Sequence, residues 1–158
     1  IVAERPGLVV HSPGPGRPED FGVPALVQAL AAASIAQFGV CLGLQGIVEA
    51  FGGRIAVLDA PRHGKIWRVH HTGDRLFEGV PNPCEVGAYH SLIAVRKTVP
   101  DDLEVTSWTE DGLVMAVNHR TLPIAAVQFH PESILSFAGD AGHTIIENAI
   151  KTLVGVAR

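Results

Sequence analysis

Apolar and polar positions follow two rhythms along the chain. Leu8 to His11 is a short apolar run cut off by Ser12-Pro13-Gly14-Pro15-Gly16, whose prolines and glycines cannot continue a strand and force a turn. From Pro24 to about Ala33, Val27, Leu30, Ala31 and Ser34 keep helical spacing, with Pro24 suited to the first turn. Ile35 to Val40 reads as a buried strand, after which Leu44, Ile47, Val48 and Phe51 return to helical spacing until Gly52-Gly53 stops them. Strand, tight turn and helix therefore meet around Cys41.

The middle of the chain changes character. Arg54 to Leu58, Ile66 to Val69, Glu85 to Gly87, Leu92 to Val95, Leu103 to Trp108, Leu113 to Asn118 and Ile124 to Phe129 all read as strands, separated by turns rich in Pro, Gly and Asp. A last helix is predicted from about Ala141 to Val154, with Ile145, Ile146, Ala149, Ile150 and Leu153 on one stripe. This order predicts an α/β fold whose sheet is mainly parallel, covered on both faces and interrupted by an antiparallel portion.

Composition narrows the possible functions. With 158 residues, one core must carry whatever function there is, and 47% hydrophobic against 18% charged residues excludes disorder as the main reading. A net charge of −4 leaves no basic excess to neutralise phosphates, so nucleic acid is not an expected partner. No apolar run approaches a membrane span and no leader pattern is visible, so a cytoplasmic protein without membrane attachment is expected. The two cysteines, Cys41 and Cys84, must each be judged by context.

Gly39-Val40-Cys41-Leu42-Gly43-Leu44-Gln45 has the form of a nucleophile elbow, in which flanking glycines permit a turn that lifts one side chain above a sheet edge. At a helix start the Cys41 thiol would meet unpaired N–H groups that favour the thiolate. A buried structural cysteine between two packing glycines fits the same residues. His130, directly after an apolar strand, is the candidate base, and Glu132 is near enough to orient its imidazole. Each could equally be an ordinary loop residue. Ser12 to Gly16 could present backbone N–H groups to an oxyanion or be a plain turn. His70 and His71 are strand neighbours facing opposite sides, and no Cys or His cluster has zinc spacing, so neither metal nor cofactor is expected.

Five blocks occur together and in order: PGPG at Pro13 to Gly16, GVCLGLQ at Gly39 to Gln45, HGK at His63 to Lys65, YHSL at Tyr89 to Leu92, and QFHPES at Gln128 to Ser133. Over nearly its whole length the chain resembles the class I glutamine amidotransferases, and the wording is most similar to the glutaminase components of anthranilate synthase, then aminodeoxychorismate synthase. The resemblance implies a three-layer, flavodoxin-like doubly wound sheet. It implies Cys41 as nucleophile, His130 as base and acid, and Glu132 as its partner. It also implies Gly14 and Leu42 N–H groups as an oxyanion hole, and Gln45, Ser91 and Leu92 as contacts to L-glutamine. The ammonia released would pass to a chorismate-binding synthase, either a separate subunit or a fused domain. A catalytically silent assembly partner of that synthase is the alternative.

Ala88 departs from the Arg usual before the tyrosine of YHSL, which removes any salt bridge that residue would make. The family domain opens with a strand, helix and strand before the PGPG loop, and only the last of these is recognisable here. Residues 1–158 are therefore read as one N-terminally truncated domain that lacks a first strand and helix, roughly 30 residues or more.

Overall fold

The computed structural model describes residues 1–156, and side chains throughout that range except at 59–63 and 156. Ten elements follow one another: β1 (Val9–His11), α1 (Val23–Ala32), β2 (Gln37–Val40), α2 (Leu42–Ala50), β3 (Ile55–His71), β4 (Cys84–Ala94), β5 (Leu103–Thr109), β6 (Val114–His119), β7 (Ile124–Val127) and α3 (Ala141–Val156). The strands form one seven-stranded sheet in the order β1-β2-β7-β6-β5-β3-β4.

The sheet divides into two kinds of pairing. β1, β2 and β7 are parallel neighbours, while β7–β6, β6–β5, β5–β3 and β3–β4 are antiparallel. The antiparallel portion is thus larger than the strand and helix pattern suggests. The reason lies in the connections: between α2 and α3 the described residues hold no α-helix to carry a parallel crossover, and the consecutive pairs β3–β4, β5–β6 and β6–β7 run antiparallel.

β7 shows how the layers form. Its residues alternate, Ala125 and Val127 packing in the core under α3 with Ile145, Ala149 and Leu153, while Ile124 and Ala126 pack on the opposite face with Val27 of α1 and Leu44, Ile47 and Val48 of α2. Phe77, Phe129, Leu30, Leu44, Ile47 and Ile145 are fully buried, each worth about 1.5–3 kcal/mol relative to exposure. The result is the expected three-layer α/β architecture.

Four expected short strands prove to be two long ones. β3 joins Arg54 to Leu58 with Ile66 to Val69, and β4 joins Glu85 to Gly87 with Leu92 to Val95. Their register slips between Val57 and Arg62 and again between His63 and Lys65, irregularities that break the alternation by which a continuous strand is recognised. The side chain of His63, in the HGK block, lies outside the described ones. At the other end of the sheet β1 pairs with β2 alone among the described residues, and Val10 is exposed there. Leu8, Val10, Phe38, Ile146 and Ile150 line an apolar groove beside that edge.

Candidate active site

Cys41 stands between β2 and α2 with φ 54° and ψ −101°, a strained conformation for a residue with a side chain. The neighbouring glycines explain how the chain can place it there. A Cβ on Gly39 would lie 2.7 Å from the Gly43 carbonyl carbon, and one on Gly43 would lie 2.4 Å from the His11 carbonyl oxygen. Only hydrogen fits at either position, so the pair lets β1, β2 and α2 close on one another around the thiol. The Cys41 N–H donates to the Val127 carbonyl at 2.8 Å, and the Cys41 carbonyl accepts from Gln45 N–H at 3.2 Å. Leu42 is the first residue of α2, where an N–H has no acceptor within its own helix.

His130 follows β7 and is fixed through its backbone. Its N–H donates to the Gly87 carbonyl at 3.0 Å, and its carbonyl accepts from the Ser136 hydroxyl at 2.6 Å, while Ser136 Oγ in turn accepts from Gly87 N–H at 2.9 Å. Nδ1 of the ring lies 2.8 Å from Glu132 Oε1. The Tyr89 ring meets the imidazole edge-on, with centroids 5.0 Å apart, and its hydroxyl lies 3.0 Å from Ser133 Oγ. Burial opposes a charge on His130, but bonding to Cys41 and Glu132 and the charges of both outweigh it and raise its pKa from 6.5 to about 9. For Glu132, burial acts to raise the pKa, yet the His130 hydrogen bond and charge hold it below the ordinary carboxylate value. Nε2 of His130 is buried and lacks a partner of full hydrogen-bond geometry. The contact with Cys41 is therefore a loose one.

A cavity opens over Cys41, lined also by Gly14, Pro15, Gly16, Gln45, Tyr89, His90, Ser91 and Leu92. Four of the five residues assigned to substrate by resemblance, Gly14, Gln45, Ser91 and Leu92, thus share one space with the thiol. Leu42 is not among the lining residues; its side chain is buried, with Cδ1 3.6 Å from where a Gly14 Cβ would stand. Ala88 is fully buried in the core under α3. Among the described residues no group of three or more His, Cys, Asp or Glu side chains gathers as metal ligands.

Three polar residues escape the motif reading. Gln128, fully buried, donates from Nε2 to Cys41 Sγ at 3.6 Å and accepts at Oε1 from Gln45 Nε2 at 3.3 Å. Ser136 clamps the His130 backbone, and Tyr89 packs on its ring. Gln128 and Tyr89 lie inside recognised blocks, but only the fold shows what their side chains touch.

A cysteine on a strained strand-to-helix elbow, an imidazole paired with a carboxylate, and a cavity over the thiol are the parts that thiol-dependent acyl transfer requires. The sequence pattern of the glutamine amidotransferase class-I family matches residues 2–152. The chain belongs to that family. It is 55% identical over 157 residues to an anthranilate synthase of Azospirillum brasilense, covering 99% of this chain and 21% of that protein. It is 47% identical over 152 residues to an anthranilate synthase component 2 of the same organism, covering 96% of this chain and 76% of that one. The chain thus spans about a fifth of the first relative and about three quarters of the second. A crystallised Thermoplasma acidophilum protein, described as part of a GMP synthase, shares the fold, with TM-score 0.84 at 23% identity over 98% of this chain and 77% of that one.

Proposed function

We propose that the chain hydrolyses L-glutamine to glutamate and ammonia, and that the ammonia is delivered to a chorismate-binding synthase, separate or fused, that makes anthranilate for tryptophan biosynthesis. The observation that carries the glutaminase reading is that Cys41, which shares one cavity with Gln45, Ser91 and Leu92, is also bonded to His130, itself 2.8 Å from Glu132. The names of the two Azospirillum relatives support the acceptor.

In this reading the thiol proton rests on His130, and the Cys41 thiolate Sγ attacks the side-chain carbonyl carbon of glutamine. The oxyanion is met by the backbone N–H groups of Gly14 and Leu42. Collapse breaks the C–N bond as His130 returns the proton, so ammonia leaves and a γ-glutamyl thioester remains. His130 then deprotonates water, which attacks the thioester and restores the thiol. Glu132 keeps the imidazole oriented and offsets its charge. The proposed setting of the reaction is the cytoplasm. No helix among the described residues is long and apolar enough to cross a membrane.

Residues 1–158 act, in the same reading, as one glutamine amidotransferase domain whose open β1 edge and adjoining apolar groove are covered by a further strand and helix. The deciding experiment supplies glutamine or ammonia to the full-length protein with its synthase and chorismate. Anthranilate from either nitrogen source, with Cys41→Ala losing only the glutamine route, is the expected result. Aminodeoxychorismate as product would move the protein to the folate branch. No glutamine hydrolysis at all would favour the silent assembly partner.

A further inference from the structure

Gln128 is fully buried, directly after β7, with its own N–H given to the Met115 carbonyl at 2.8 Å. An apolar side chain of the same length would fill that space without the cost of burying an amide. Both ends of the carboxamide are instead bonded to the site. Nε2 donates to Cys41 Sγ at 3.6 Å, and Oε1 accepts from Gln45 Nε2 at 3.3 Å, the same nitrogen that donates to the Leu92 carbonyl at 3.2 Å. One chain of bonds therefore runs from the elbow through the end of β7 and α2 to β4. It joins the thiol to the wall of the cavity.

We propose that Gln128 is a positioning residue which holds the Cys41 sulfur in its reactive form and place, and locks Gln45 against Leu92 so that the substrate wall is set relative to that sulfur. A neutral thiol accepts hydrogen bonds weakly and a thiolate strongly, so an N–H fixed toward sulfur favours the anion. The ionisable groups around the sulfur are His130, backed by Glu132, and Tyr89 and His90 from β4. Gln128 is the neutral donor among them, and its bond to sulfur stands while His130 Nε2 has none of full geometry. The role of Gln45 in binding rests on the glutaminase reading; the contact with sulfur does not.

The test uses Gln128→Met, which keeps the length and removes the donor, and Gln128→Glu, which keeps an acceptor for Gln45 but sets a carboxylate against sulfur. Carboxamidomethylation by iodoacetamide is followed at Cys41 and Cys84 by peptide mass spectrometry across pH, beside thermal melts. In Gln128→Met alkylation of Cys41 should slow about tenfold near neutral pH, the size expected for loss of one hydrogen bond to a charged group, with a larger loss in Gln128→Glu and none at Cys84. Glutamine kcat should fall about tenfold in Gln128→Met, the cost of one lost hydrogen bond to a charged group, while KM rises through the freed Gln45. A Cys41 profile superposed on the wild type in either folded variant overturns the proposal. The wild type gives a measurement free of folding defects: the Gln128 side-chain amide resonances should move with pH through the Cys41 midpoint and stop doing so in Cys41→Ser. Amide resonances that ignore Cys41 also overturn it. A shifted profile in a protein that never hydrolyses glutamine would sustain the sulfur contact and refute the proposed function instead.

Discussion

Cys41 and Cys84 are equally hidden, at 6% and 4% exposure, and both pack in the core under α3, yet their surroundings differ in every respect that governs reactivity. Cys41 sits on a positive-φ elbow at a helix start, beside a cavity, with His130 and the Gln128 amide against its sulfur. Cys84 opens β4 in regular pairing with Val69, and burial pushes its thiol up to about 11. Fractional exposure therefore does not tell which thiol can react. The difference comes from the local backbone geometry of the elbow, from what donates to sulfur across distant parts of the chain, and from uncompensated burial at Cys84.

The largest effect should come from deleting each thiol in turn. Cys41→Ala is expected to lower glutamine hydrolysis by about 10⁴-fold or more, as removal of a covalent nucleophile does, and to leave ammonia-dependent synthesis by the partner intact. Cys84→Ala should retain activity and lose only about 1 kcal/mol of stability from a small cavity. Steady-state assays with both nitrogen sources and a melting curve check the pair. Comparable losses of glutaminase activity in the two variants would erase the contrast.

Removal of the base should act on one cysteine alone. His130→Ala is expected to slow glutamine turnover by about 10²–10⁴-fold and to slow alkylation of Cys41 without changing that of Cys84. Stopped-flow alkylation with mass-spectrometric assignment reads both sites in one sample.

A third substitution tests the elbow rather than its chemistry. Gly43→Ala places a methyl 2.4 Å from the His11 carbonyl oxygen, and neither backbone can yield without moving β1 or α2. A loss of about 1–3 kcal/mol is expected, the usual cost of overpacking. Denaturant titration measures it, and Cys41 labelling by a glutamine analogue should weaken as well. Unchanged stability and labelling would show that the close approach is unimportant.

The smallest effect concerns Glu132. The His130 pKa is raised from 6.5 to about 9, so its contribution to stability is complete below 6.5 and is lost as pH rises through about 9. Glu132 is held below its ordinary value, so its contribution is present above that value and is lost as pH falls through the lowered one. Glu132→Gln removes the carboxylate's part of the first shift. The alkaline limb of kcat/KM should therefore move to lower pH, by about one unit. A pH–rate profile checks this, and a limb that stays in place would remove Glu132 from any role in tuning the imidazole.

The elbow is legible in the chain because its chemistry is local: Gly39, Cys41 and Gly43 lie within five residues, and His130 meets Glu132 two residues on. The parts of the site that are not legible are held by distant partners. Ser136 reaches Gly87 across 49 positions and Gln128 reaches Cys41 across 87, and no periodicity records such pairings. The same limit applies to the fold. α1, α2 and α3 appear within a residue or two of their predicted bounds because their stripes are regular, whereas β3 and β4 read as divided strands where slipped register interrupts alternation.

Fold geometry, then, selects one of two buried thiols for reaction with glutamine in the proposed function. A glutamine analogue with an electrophilic carbon in place of the side-chain amide tests this selection, by incubation with the full-length protein followed by peptide mapping. One label per chain is expected on Cys41, formed with saturation kinetics, blocked by L-glutamine and slowed in His130→Ala, with Cys84 unmodified. Label found mainly on Cys84, or on Cys41 without protection by L-glutamine, would contradict it.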